Sequence, residues 1–178
     1  LRILFETTPA FLTPMAMEDL TRLHRDAIEL RAVEPLVVVP LSILDLLCIH
    51  PFRDGNGRIA RLLTLLLLYR SGYRVGRYIS LERIIEESKQ TYYEALEASS
   101  NGWHEGRHDV APWLGYFWGM LLRAYREFED RMAVALEGRG NKTDRIRGAV
   151  ARRRGPFAIS DLEAELPNIS RDMIRHVL

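Results

Sequence analysis

The chain is poor in cysteine: Cys48 is the only one in 178 residues. An intramolecular disulfide is therefore excluded, and the expected location is a reducing cytoplasm. It also lacks a net charge of either sign, because 25 basic residues face 24 acidic ones for a formal +1. No global polycation that would coat nucleic acid or an anionic membrane is available. Long apolar runs are missing too. The richest, Leu62 to Tyr69, is bounded by Arg61 and Arg70 and is far too short to span a bilayer, so no membrane partner is expected. It reads as a fully buried helix. Period-two alternation is scarce, with Leu1–Phe5 and Tyr73–Ile79 the only strand candidates, and the expected class is all-α. No internal repeat and no low-complexity tract interrupts the chain. What remains, 47% hydrophobic and 28% charged, is the composition of a globular protein with room for one domain and a small appendage. The chain opens on Leu1 without a methionine or signal peptide, so it is expected to be a piece whose true N-terminus lies upstream.

Helical periodicity fills the space left by the missing strands. Met17, Leu20, Leu23, Ala27, Ile28 and Leu30 mark a helix over roughly residues 14–31, and Pro35–His50 is a second, almost wholly apolar one. Pro35 suits its first turn, whereas Pro40 predicts a late start or a kink. A third helix spans Arg58–Ser71 and stops at Gly72. Ser80 N-caps a fourth that runs to about Ser99, and Asp109 or Pro112 opens a fifth towards Leu136. Gly138–Lys142 reads as a linker between a domain at 1–137 and an appendage at 143–178. The appendage shows three short helical stretches, at Thr143–Arg153, Ile159–Leu166 and Ser170–Leu178. That order, with Pro167-Asn168 between the last two, matches a partial helix-turn-helix that ends before any wing.

One stretch concentrates the chemistry: HPFRDGNGRIAR, from His50 to Arg61. His50 ends an apolar helix, and imidazole exchanges a proton near neutrality, so this side chain can take one from an attacking hydroxyl. Gly55-Asn56-Gly57 leads into the next helix, where unpaired N–H groups and the positive end of the dipole form an anion site. Arg58 and Arg61, three apart, close over the same phosphates. A carboxylate at Asp54 belongs at the lip of an anion hole only if a cation lies between, and Mg²⁺ binds through one or two carboxylates plus substrate phosphates. Each feature alone is ordinary, as a helix-end histidine, a tight turn or a solvated pair of arginines. Their conjunction points to a phosphoryl-type transfer. His104, Glu105 and His108 match no familiar metal-ligand spacing and read as a surface loop.

The stretch resembles the Fic-domain signature H-x-F-x-[D/E]-G-N-[G/K]-R-x-x-R at every fixed position, and a weaker resemblance extends from about Phe5 to Met132. It implies a mostly α-helical Fic fold with at most a remnant of a β-hairpin. It also implies an activity, transfer of AMP from ATP to a Ser, Thr or Tyr hydroxyl of a target protein with release of pyrophosphate. Under the resemblance His50 is the general base, Phe52 the buried anchor of the loop and Asp54 the Mg²⁺ ligand. Gly55, Asn56 and Gly57 form the anion hole, and Arg58 binds the β and γ phosphates. Arg61 holds the γ-phosphate or, in inhibited members, an inhibitory glutamate. Glycine rather than lysine at position 57 favours nucleotidyl transfer over the kinase-like subgroup. Tyr93 and Ser100 fall on the nucleoside-binding positions of the segment TYYEALEASS, although packing explains Tyr93 equally well. No Ser or Thr has Glu four residues on, so the family's inhibitory helix [S/T]-x-x-x-E-[G/N] is absent from this sequence. The target-docking flap belongs upstream of Pro14, with at most its end at Ile3–Thr8.

The expected partners are thus Mg²⁺, ATP and a protein that supplies a hydroxyl, with a homodimer and a weak DNA contact through the appendage left open. Two alternatives stand beside AMP transfer. One is a nucleotide-sensing DNA-binding regulator, suggested by Arg145, Arg147, Arg152, Arg153 and Arg154. The other is transfer of UMP or phosphocholine, or removal of AMP, by the same residues.

Overall fold

The computed structural model describes residues 7–31, 33–139, 142–153 and 155–178. The strand candidate Leu1–Phe5, most of the flap remnant Ile3–Thr8, Arg154, and Gly140 and Asn141 of the linker lie outside the described residues. Among those described there is no strand, and the fold is all-α. The chain forms two compact units, Leu1–Phe128 and Glu129–Leu178. No helix among the described residues is long and apolar enough to cross a membrane.

The first unit is organised around one hydrophobic helix. α1 (Thr13–Glu29) is amphipathic and packs on α2 (Pro35–Ile49), burying Leu20. α2 buries Val38, Val39, Ile43, Leu44, Leu46, Leu47, Cys48 and Ile49, which leaves it little surface of its own. Pro40 lies inside α2 without ending it. The missing N–H orphans the carbonyl of Leu36 one turn earlier, and Trp118 Nε1 donates to that oxygen at 2.8 Å. The Pro40 carbonyl accepts from Trp113 Nε1 at 2.7 Å. Two indoles on α6 (Ala111–Arg139) thus satisfy the helix where the proline disturbs it. An intramolecular hydrogen bond contributes about 0.5–1.5 kcal/mol net, so the Trp118 bond replaces much of what the proline removes.

α3 (Asn56–Arg70) packs antiparallel to α2 after a short connection. Gly72 ends it in the left-handed region, φ 90°, with Tyr73 N–H donating to the Leu68 carbonyl at 2.9 Å. The strand expected at Tyr73–Ile79 is instead a single 3₁₀ turn, Val75–Arg77. Val75 and Ile79 are both buried while Arg77 between them is exposed, which breaks the alternation of a strand and fits one helical turn. The single helix expected from Ser80 to Ser99 is two, α4 (Leu81–Glu87) and α5 (Lys89–Ser100). Ser88 breaks them: its hydroxyl bonds the Ile84 carbonyl at 2.7 Å and meets the Tyr116 hydroxyl at 3.0 Å. α6 starts where Asp109 accepts from Ala111 N–H at 2.9 Å and Ser99 accepts from Trp113 N–H at 3.1 Å.

The second unit contains α7 (Lys142–Ala151), α8 (Ile159–Glu165) and α9 (Arg171–Val177). Ile146, Ala149, Leu162, Leu166, Ile169 and Ile174 form its own core. Asp161 accepts from Ala158 N–H at 2.9 Å at the start of α8, and the Ser170 hydroxyl accepts from Met173 N–H at 3.4 Å at the start of α9. Arg152 and Arg153 each pair with Glu165 at 2.9 Å, and Arg171 pairs with Glu163 at 3.2 Å.

Candidate active site

His50 closes α2 in the left-handed region, at φ 54° and ψ 56°. Its N–H still reaches the Leu46 carbonyl at 3.0 Å, so it is the residue that turns the chain out of the helix. Left-handed geometry costs a non-glycine residue roughly 1–2 kcal/mol, and here it turns the backbone out of α2 into the connection to α3. Nδ1 lies 3.3 Å from the Leu47 carbonyl. A proton on Nδ1 satisfies that carbonyl and makes Nε2 the basic nitrogen.

The connection is held by Asn56, not by Phe52. Phe52 was expected as a buried anchor, yet it is 47% exposed, whereas Asn56 is 2% exposed. The Asn56 amide donates to the Phe52 carbonyl at 2.6 Å and accepts from the Phe52 N–H at 3.0 Å. A primary amide can do both at once, and a phenyl ring can do neither. Gly55 precedes α3 at φ 86°, a conformation glycine adopts without penalty.

Asp54 stands at the lip, its side chain 90% exposed, with Oδ2 3.1 Å from Arg58 Nη2. Oδ1 accepts from Gly55 N–H at 2.7 Å. Arg58 Nη2 would lie 3.5 Å from a Cβ placed on Gly55, and Arg61 Nη1 would lie 3.7 Å from one on Gly57. The two guanidiniums therefore flank the first turn of α3, each against one glycine. Two cations and the N–H groups that open α3 thus stand at one helix start, which suits an anion with several oxygens.

Arg61 has a partner that the sequence reading missed. Its Nε donates to Glu82 Oε1 at 3.0 Å, and Glu82 sits in the first turn of α4. In the sequence Glu82 reads only as an acidic residue near a helix N-terminus, which the dipole explains without any partner.

Among the expected nucleoside residues, Tyr93 is 44% exposed and Ser100 is 8% exposed. Tyr93 meets Tyr92 edge-on at 5.3 Å, and the Ser100 hydroxyl donates to the Glu97 carbonyl at 3.2 Å. Both come from α5, whereas the other candidates come from the end of α2, the α2–α3 connection and the first turns of α3. Tyr92 packs edge-on against Trp113 and Tyr116, each at 5.5 Å, and burial pushes its phenol up to about 12 even though the Arg61 charge pulls the other way. Burial also raises the Cys48 thiol, to about 12, which leaves it unreactive. Asp45 accepts from Trp103 Nε1 at 2.7 Å, and burial raises its carboxyl.

Among the described residues no three His, Cys, Asp or Glu side chains gather as metal ligands, His104, Glu105 and His108 included. Asp54 contributes one carboxylate, so it fits a divalent cation whose other ligands are phosphate oxygens and water. A cavity of about 900 Å³ opens elsewhere, between α1, α2 and the C-terminal half of α3, with His24, Ser42 and Arg70 in its wall and no motif residue.

Known proteins bear on this geometry. Residues 2–68 match the Fic/DOC family. "Protein adenylyltransferase Fic" of Nematostella vectensis is 33% identical over 86 residues, 47% of this chain and 17% of that protein. "Protein adenylyltransferase fic-1" of Caenorhabditis briggsae is 32% identical over 85 residues, 48% of this chain and 14% of that protein. The chain spans under a fifth of the length of these curated relatives. A crystal structure of a Fic family protein from Desulfovibrio desulfuricans G20 is similar over 96% of this chain and 47% of that one, with a TM-score of 0.57 and 28% identity. The segment that carries His50 to Arg61 thus lies within the part of the chain that is similar to the Fic/DOC family.

Proposed function

We propose that the chain transfers AMP from ATP to a hydroxyl side chain of a target protein. The observation that carries this reading is the placing of the Arg58 and Arg61 guanidiniums against Gly55 and Gly57 at the start of α3, directly after the helix that His50 ends. In the reaction, His50 Nε2 takes the proton of the target hydroxyl, and the oxygen attacks the α-phosphorus. A phosphodiester bond forms, the bond to the bridging oxygen breaks, and pyrophosphate leaves. Asn56 and Gly57 supply backbone N–H groups to the phosphate oxygens, while Gly55, whose N–H is held by Asp54, shapes the turn that exposes them. Arg58 and Arg61 neutralise the charge that gathers on the departing pyrophosphate. Asp54 would hold Mg²⁺, which adds charge neutralisation at the phosphates. Tyr93 offers an exposed ring for adenine to stack on. Ser100 stands two turns along the same helix, its oxygen remaining an acceptor.

Incubation with labelled ATP and a cell lysate tests the reading. Labelled protein bands are expected from the wild-type chain. His50→Ala should lower the rate by roughly 10²–10⁴-fold, the usual contribution of a general base, with ATP affinity nearly intact. Wild-type labelling by that variant counts against the assignment. Labelled UTP or a phosphocholine donor in place of ATP separates AMP transfer from the other transfers that the same residues can perform.

For the second unit we favour a protein-docking helix-turn-helix over a duplex-binding one. Arg152 and Arg153 are engaged by Glu165, α8 carries Asp161, Glu163 and Glu165 with no basic residue, and Asp172 lies among the bases of α9.

A further inference from the structure

We infer that Glu82 is a positioning residue of the phosphate site: its carboxylate holds the Arg61 guanidinium by Nε and keeps the Nη edge turned to Gly57. The inference rests on the reading of Arg61 as a phosphate ligand. Glu82 belongs to no [S/T]-x-x-x-E-[G/N] segment, since Tyr78 stands four residues before it and Arg83 follows it.

A glutamate beside an anion site can either compete with the anion or orient the cation. Three features favour orientation. The bond at 3.0 Å is made by Nε, the donor next to the aliphatic stem, so the remaining N–H donors of the fork stay available. Nη1 lies on the Gly57 side, 3.7 Å from the position a Cβ would take there. The Glu82 side chain is 62% exposed against 27% for Arg61, so its charge is well hydrated and its repulsion of a phosphate is screened.

Both partners stand on packed helices. The Arg61 side chain lines a small void with Thr64, Ile85, Tyr92 and Trp113, which limits its rotamers. Glu82 lies between Leu81, which is buried, and Arg83, which pairs with Glu87 at 2.7 Å and also with Glu127. Ser80 caps the same helix by accepting from Arg83 N–H at 3.2 Å. A guanidinium already oriented by one carboxylate loses less entropy on meeting a phosphate.

Calorimetric titration of this 178-residue chain with Mg²⁺–ATP and with AMP tests the assignment. Arg61→Ala should weaken Mg²⁺–ATP and leave AMP unchanged. Glu82→Ala should weaken Mg²⁺–ATP by roughly two- to fivefold, the range of an exposed ion pair, again with AMP unchanged. Glu82→Gln should restore most of that affinity, because its amide oxygen still accepts from Nε. The double variant should bind no more weakly than Arg61→Ala alone, since the two residues act through one contact. If Arg61→Ala weakens Mg²⁺–ATP and Glu82→Ala binds it as well as wild type, or more tightly, the positioning role is overturned and the phosphate reading stands. If Arg61→Ala binds Mg²⁺–ATP like wild type, the phosphate reading falls and the inference falls with it.

Discussion

The left-handed backbone of His50 and the exposed ion pair of Asp54 with Arg58 set the chemistry at the residue scale. Arg58 makes its contacts at the surface, where a carboxylate offers little stabilisation. A triphosphate with Mg²⁺ would give both groups a better partner, because charge-assisted bonds to phosphate form in place of a solvated pair. Arg58→Ala should therefore weaken Mg²⁺–ATP by roughly ten- to a hundredfold, the value of a hydrogen bond to a charged group. AMP, which lacks the β and γ phosphates, should lose much less. Calorimetry with ATP, ADP and AMP checks this, and equal losses for all three would displace the clamp from Arg58. Much of this scale was legible in the sequence, because consecutive residues of one loop carry it. Glu82 was not, since its partner is 21 positions away and nothing local marks it as more than a dipole residue. Phe52 departs from the buried anchor that the resemblance implies, because an amide clamp from Asn56 on its backbone fixes the loop without burying the ring.

Elements obey the sequence where periodicity is long and depart from it where one side chain decides. α1, α2 and α3 follow from runs of apolar positions at helical spacing. The break at Ser88 depends on a hydroxyl that turns back to Ile84 and on a tyrosine from another helix, and no window of sequence contains both. Tyr73–Ile79 has the β-branched and aromatic content of a strand but no neighbouring strand to pair with among the described residues, and packing selects the turn. A pH prediction belongs to α2. Burial raises the Asp45 carboxyl and the bond from Trp103 lowers it in smaller measure, so the folded chain binds this proton more tightly than the unfolded one. The stability this contributes is complete below the unfolded value and is lost as pH rises through the folded one. Asp45→Asn keeps an acceptor for Trp103 and carries no charge. Its stability relative to wild type should thus increase as pH climbs through the raised carboxyl value and then level off. Urea unfolding at a series of pH values measures this, and a constant difference across the series would contradict it.

At the scale of the whole molecule the two units differ in what they offer a partner. Nucleic-acid binding depends on arginines that neutralise phosphates, and each such contact steepens the dependence on salt. Arg152 and Arg153 already face Glu165, and Arg171 faces Glu163, so the second unit should bind random-sequence duplex only weakly. Fluorescence anisotropy at low and moderate salt decides the point. Submicromolar binding that falls steeply with salt and vanishes on neutralising Arg152 and Arg153 would favour a DNA-binding regulator. The indoles have a consequence for watching the molecule unfold. All three tryptophans of the chain, Trp103, Trp113 and Trp118, donate their N–H to groups on α2: the Asp45 carboxylate, the Pro40 carbonyl and the Leu36 carbonyl. The unit from Glu129 onwards has none. Intrinsic emission is therefore an optical probe of the helix that ends in His50, blind to α7, α8 and α9. Far-ultraviolet dichroism sums every helix, so a melting curve that splits between the two signals separates loss of the His50 helix from loss of the C-terminal helices without any added label.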